Sequence, residues 1–157
     1  MAEFITDKYI RRNTTRPSRH TQVTAPIPFL KSAEDYGNLG LHMSWKCIMQ
    51  PYTDEAEPHF HEFDQFLAFL GGDPNNMLDL GGEVEMTLSV DGKKREKHVL
   101  TSFATVFIPA GLWHCPLVFT KVERPFVFYN FALTENYEKK YKLHRCLVSN
   151  DVELEEL

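Results

Sequence analysis

The stretch that decides the fold is EPHFHEFDQFLAFLGG, residues 57–72. Its length suits helix or strand, but its aromatic enrichment and the closing Gly71-Gly72 pair favour a strand. With a period of two, His59, His61, Phe63, Gln65, Leu67 and Phe69 share one face, and Phe60, Glu62, Asp64, Phe66, Ala68 and Leu70 take the other. Two imidazoles thus face the interior, while the obvious carboxylates, Glu62 and Asp64, turn outward as expected salt-bridge partners. Neutral imidazole nitrogens on one strand can grip a single divalent transition ion. An HxH pair alone is weak evidence, since paired histidines are commoner than metal sites.

A second stretch, VFIPAGLWHCPLVF (106–119), supplies the complement. Pro109 and Gly111 make a turn that delivers His114 at the start of the next strand. A third imidazole there can close a site seeded by His59 and His61. The same three histidines also suit hydrogen-bonded core positions without metal. Parity turns Cys115 away from His114 and makes it a structural thiol, and Trp113 is expected at the rim.

Outward from these blocks, LGLHMSWKCIMQPY (39–52) reads as a strand and GDPNNMLDLGG as a long turn. EVEMTLSV alternates and meets Asp91-Gly92, a two-residue hairpin signal, before the return strand KHVLTSF. ATVFIPAG and RPFVFYNFAL follow. Short strands separated by regular turn signals predict an all-β sandwich or barrel. ENYEKKYKLHRC (135–146) alone reads as helical. The expected organisation is an extended arm over 1–38, a β-barrel domain over 39–134, and a segment over 135–157 that packs on the barrel.

Composition bounds the function. The chain has 157 residues, enough for one domain, with 43% hydrophobic and 25% charged residues. A net charge of −5 gives nucleic acid no electrostatic footing, so the arm's basic residues, Arg16 and Arg19 among them, read as solvated or partner-packed. Three scattered cysteines without a CxxC spacing imply free thiols in a reducing, cytoplasmic setting. No apolar run reaches the roughly 18 residues of a membrane span, and the N-terminus lacks a signal-peptide core. Phe60, Phe66 and Leu70 are too apolar for open water, which predicts a homodimer, with a second sheet or the N-terminal arm as the alternative cover.

His59, His61, Gln65 and Gly72, followed by Pro109, Gly111 and His114, resemble the two-motif HxHx3(E)x6G and PxGxxH signature of the cupins. The likeness covers about residues 40–133, with DPNNMLDL inserted after Gly72. It implies a small antiparallel β-barrel, or jelly roll, holding one divalent metal (Zn, Fe, Mn or Ni) through His59, His61, His114 and the residue at position 65. Three positions depart from the pattern. Gln65 replaces the usual Glu, Phe103 stands where Gly often opens the second motif, and Val118 stands where Asn often ends it.

Some cupin lyases also carry Gln at that position. As a ligand, neutral Gln65 leaves the ion its full double charge, which strengthens it as a Lewis acid; as a supporting residue it would touch a ligand instead. Phe63, Leu67, Phe69 and Phe107 are the expected pocket walls, and Glu83 or Glu85 the remaining candidates for a base. The implied function is a metal-dependent cupin enzyme acting on a small carbonyl, hydroxy or carboxylate compound, by lyase, isomerase, decarboxylase or dioxygenase chemistry. The alternative is a non-catalytic barrel that binds or senses a small molecule. A storage-type structural barrel is the third reading.

Overall fold

The computed structural model describes residues 5–37 and 39–141. A single 3-10 turn, Ile5–Tyr9, leads into β1 (Thr15–Arg16), β2 (Ile27–Lys31) and a four-residue helix α1 (Ser32–Asp35). Then come β3 (His42–Ile48), β4 (Tyr52–Glu55), β5 (His59–Phe60), β6 (Gln65–Gly71) and β7 (Asp79–Ser89). The chain continues through β8 (Glu96–Ser102), β9 (Ala104–Ile108), β10 (Trp113–Val122), β11 (Phe126–Ala132) and β12 (Lys140–Tyr141). All pairings are antiparallel. One sheet runs β1-β2-β3-β11-β6-β9; the other runs β12-β5-β10-β7-β8, with β4 also on β10.

The strands alternate as their sequences predict. Along β6, Gln65, Leu67, Phe69 and Gly71 are buried while Phe66 is exposed. That inward row meets the inward row of β11, where Phe126, Phe128 and Ala132 are buried. Four phenylalanines fill one end of the barrel. Phe69 stacks on Phe128 with centroids 5.1 Å apart, and Phe119 sits 5.7 Å from both Phe126 and Phe128. Burying each such ring gains about 1.5–3 kcal/mol over leaving it exposed. Further along the same strands the inward residues become polar, and the interior opens into the cavity described below.

Several expectations need correction. The stretch 57–72 is not one strand: it breaks at 61–64, so β5 joins one sheet and β6 the other. The arm is not merely an extended lead-in, because β2 pairs with β3 and β1 with β2. The Asp91-Gly92 hairpin is longer than two residues. Asp91 Oδ1 accepts from the amides of Lys93 and Lys94, each at 2.8 Å, and holds a loop over 90–95. In the expected helical segment, residues 135–139 are irregular and Lys140–Tyr141 pair with β5; the remainder, with His144 and Cys146, lies outside the described residues. Among the described residues no helix is long and apolar enough to cross a membrane.

Candidate metal centre

The break at 61–64 sets up the centre. Asp64, expected on the outer face as an ion-pair partner, instead accepts the Ala110 amide at 2.9 Å, and the His61 carbonyl accepts the Gly111 amide at 2.8 Å. These bonds lock the PAG turn onto the histidine loop. Gly111 takes a φ of 86°, a conformation that glycine adopts without penalty. Glu62 remains exposed, 3.8 Å from Lys140 Nζ.

The turn then places His114 directly opposite His59 in the β5/β10 register. The three rings converge: centroids lie 4.3 Å apart for His59 and His114, and 4.9 Å apart for His61 with each of the others. All three residues are at most 3% exposed. Each holds a backbone carbonyl through Nδ1: His59 on Glu57 at 2.9 Å, His61 on Glu138 at 2.5 Å, and His114 on Leu112 at 3.1 Å. A neutral ring that donates from Nδ1 keeps its lone pair on Nε2. Burial, reinforced by neighbouring imidazoles, pushes His61 down to about 4 and His114 to about 3, so both stay neutral and able to ligate.

Gln65 joins them from the other sheet. Its Nε2 donates to Asn130 Oδ1 at 3.0 Å and to the Tyr137 hydroxyl at 2.7 Å, which fixes the amide. Gln65 Oε1 and His61 Nε2 are buried and have no hydrogen-bond partner among the described residues. Two buried atoms with lone pairs and no partner, beside the His59 and His114 rings, are what an N/O ligand set looks like before it meets a cation, so the residues present fit a divalent metal. Orienting the donors through backbone carbonyls and a side-chain amide is also how metal-binding groups are held in place.

Cys115 departs from its expected outward position. β10 carries an extra residue between the His114–Leu88 and Leu117–Met86 pairs, and Cys115 takes a φ of 78°. This bulge turns His114 and Cys115 inward together, so a simple alternation fails here. Donor atoms of His59, His114 and Cys115 all lie within 4.8 Å of one another, a group to which His61 does not belong. Burial pushes the Cys115 thiol up to about 12 and keeps it protonated.

The centre opens on a cavity of about 220 Å³. Its walls differ from expectation. Leu67 lines it, but Phe69 is sealed in the core, and Phe63 packs behind the centre, stacked 4.6 Å from His61. Phe107 is on the outer face, half exposed and stacked on Phe66. Glu83 and Glu85 point outward as well: Glu83 accepts from Thr120 and Glu85 pairs with Lys97. Trp113 packs on Phe60, with centroids 5.0 Å apart.

The remaining walls are polar and largely basic, with Arg16, Arg19, Lys46 and Lys139 beside Asp54 and Glu55. Lys46 and Tyr52 both donate to the buried Asp54 carboxylate. Burial alone would raise Glu55, but Lys139 and Arg19 hold it down to about 2. Composition and motif spacing did not mark these residues. Strand parity could have marked two of them: Lys46 shares a face with Ser44 and Ile48, and Asn130 with Phe128 and Ala132, so each is a polar residue on an inward row.

No protein-family model matches the chain, and no curated protein sequence matches it. Solved structures do. An oxalate oxidase in complex with glycolate matches at a TM-score of 0.56 and 20% identity, over 86% of this chain and 64% of its own. The chain thus spans under two thirds of that enzyme's length. Vicilin from hazelnut (Corylus avellana) matches at a TM-score of 0.57 and 12% identity, over 85% of this chain and 36% of its own. A single-substitution variant of the oxalate decarboxylase from B. subtilis matches at a TM-score of 0.50 and 12% identity, over 72% of this chain and 26% of its own. These three are cupin-superfamily proteins. With two antiparallel sheets closed around a histidine-lined cavity and these structural neighbours, the chain is a cupin-fold protein.

Proposed function

We propose that the protein is a metal-dependent cupin enzyme acting on a small carbonyl, hydroxy or carboxylate compound. The observation that carries this reading is the set of buried donors: three imidazoles pinned through Nδ1, and Gln65 pinned through its amide, with His61 Nε2 and Gln65 Oε1 unpartnered among the described residues. Leaving a buried polar atom unsatisfied costs about 1–3 kcal/mol, a cost that a bound cation removes. His59, His61, His114 and Gln65 would hold one divalent transition ion. When bound, such an ion supplies Lewis-acid chemistry, or dioxygen chemistry in the case of iron.

The protein's own groups complete the site. The Tyr137 hydroxyl accepts from Gln65 Nε2 at 2.7 Å and from Asn130 Nδ2 at 3.4 Å, so its own proton is left to donate toward the cavity it lines. Burial pushes that phenol up to about 12, which keeps the proton in place at neutral pH. Tyr137 would serve as a hydrogen-bond or proton donor to a substrate oxygen. The cavity is smaller than the roughly 300–1,000 Å³ of drug-sized sites, which favours a small ligand.

The test has two stages. Protein purified without added metal should contain close to one equivalent of a transition metal by elemental analysis, and the His59→Ala/His61→Ala double variant should contain none. Metal-loaded protein is then incubated with small hydroxy, keto and carboxylate compounds and followed by proton NMR. Turnover lost on Tyr137→Phe supports the enzyme. Stoichiometric metal with ligand binding but no turnover supports the non-catalytic barrel, and retention of metal by the double variant removes the site altogether.

A further inference from the structure

The described residues leave four buried side-chain polar atoms without hydrogen-bond partners, and they fall into two pairs. His61 Nε2 and Gln65 Oε1 belong to the centre above. The second pair, Arg16 Nε and His42 Nδ1, plays no part in it. Both residues line the same cavity, and they share a support, Phe29. The Arg16 guanidinium lies 4.9 Å over the Phe29 ring, and the His42 ring meets that ring edge-on at 4.9 Å. His42 also packs 5.1 Å from Tyr137, whose ring lies 4.9 Å from His61 and whose hydroxyl accepts from Gln65 Nε2. Tyr137 therefore contacts members of both pairs.

Arg16 also differs in ion pairing from the other cations of the cavity. Lys46 is paired with Asp54, and Arg19 and Lys139 share Glu55. Arg16 has no ion pair among the described residues, although it is half buried and loses hydration there. A desolvated guanidinium with an unused Nε–H is a fork awaiting a planar oxyanion.

We propose that Arg16 and His42 form a carboxylate-binding end of the cavity, so that the ligand is a small carboxylate whose second oxygen function reaches the end lined by Gln65, His59 and His114. Arg16 Nε–H donates to one carboxylate oxygen, and His42, in its Nδ1–H tautomer, donates to the same group. Burial with the nearby Arg16 charge holds His42 down to about 4, so it acts as a neutral donor. The ligand's second oxygen function rests on the metal reading above; the carboxylate end does not.

The test uses lactate and its neutral isostere lactamide, titrated into full-length protein and followed by the Arg16 Nε–H resonance in ¹⁵N NMR. Metal content is measured in parallel by elemental analysis. Lactate should move the resonance and lactamide should bind at least about tenfold more weakly, because a charge-assisted bond is lost. Arg16→Gln should bring lactate down to the lactamide level with metal content unchanged, and Arg16→Lys should restore part of the difference. The His59→Ala/His61→Ala variant should lose metal yet keep the preference for lactate; if it does, failure of the metal reading leaves this one standing. An Arg16 resonance unmoved by lactate, equal binding of the two compounds, or undiminished lactate binding by Arg16→Gln overturns the proposal.

Discussion

Gln65 concentrates the chemistry of the centre in one amide. Its nitrogen is committed to Asn130 and Tyr137, and its oxygen is buried without a partner among the described residues. Gln65→Glu should tighten metal binding, since a carboxylate is a charged oxygen donor, and should weaken small anions that bind at the ion. It also sets a carboxylate oxygen against Asn130 Oδ1, so the metal-free variant should lose about 1–3 kcal/mol of stability. Chelator competition, azide titration and urea unfolding measure the three effects. Unchanged affinity for both metal and azide would show that Gln65 touches a ligand rather than the ion. Protons act at this scale too. His42 is held down to about 4 from its ordinary 6.5, and Glu55 to about 2 from 4.5. In both cases the unfolded chain takes up protons that the folded chain refuses. Stability of the metal-free chain is therefore full above pH 6.5 and falls as pH drops from 6.5 toward 4 through His42, with His61 and His114 acting in the same direction, then from 4.5 toward 2 through Glu55. Each fully linked group contributes a slope of up to about 1.4 kcal/mol per pH unit. Urea midpoints that stay level from neutral pH down to pH 4 would contradict this assignment.

At the scale of elements, the sharpest packing constraint is where β6 ends and β7 begins. A Cβ on Gly71 would stand 2.0 Å from the Asp79 carbonyl oxygen, a backbone atom that cannot swing aside. Gly71→Ala should therefore cost several kcal/mol, read as a lower urea midpoint with unchanged slope; a neutral effect would mean that the β6–β7 crossing is looser than described. The same elements show what the sequence could disclose. Period-two alternation put His59, His61, Gln65, Leu67 and Phe69 inside, and each is buried. It could not disclose that the segment breaks at 61–64, because parity survives a break that changes sheets. Alternation failed at Cys115, where a bulge adds a residue that no local pattern marks. Phe107, expected at the pocket wall, lies outside because its strand presents Val106 and Ile108 inward. The basic cavity wall was hidden for a different reason: Arg16 reaches it only through the β1–β2–β3 pairing, a contact long in sequence.

At the scale of the whole molecule, the centre bridges two sheets, with His59 and His114 on one and Gln65 on the other. A metal held by all of them ties the sheets together and stabilises only the folded chain. Melting should therefore shift upward with added metal, by an amount equivalent to about 4 kcal/mol at a thousandfold excess over Kd, and the shift should vanish in His59→Ala/His61→Ala. Outside, an aromatic row crosses four strands. Trp45 meets Tyr129 at 5.2 Å, Phe131 lies 6.3 Å from Phe66, and Phe66 stacks on Phe107 at 4.8 Å. We propose a homodimer closed over this row; light scattering at micromolar concentration should give twice the chain mass, and Phe66→Glu with Phe107→Glu should give one. The arm carries a last consequence. Arg16 rides on a two-residue strand at the sheet's edge, whereas His42, the three histidines of the centre and Gln65 belong to the barrel, so on the proposals above one carboxylate contact would be encoded in a stretch of chain separable from the rest of the site. On that reading, an exchange of the first two dozen residues would alter the Arg16 contact while leaving His59, His61, Gln65 and His114 in place, which makes the arm a handle for re-engineering.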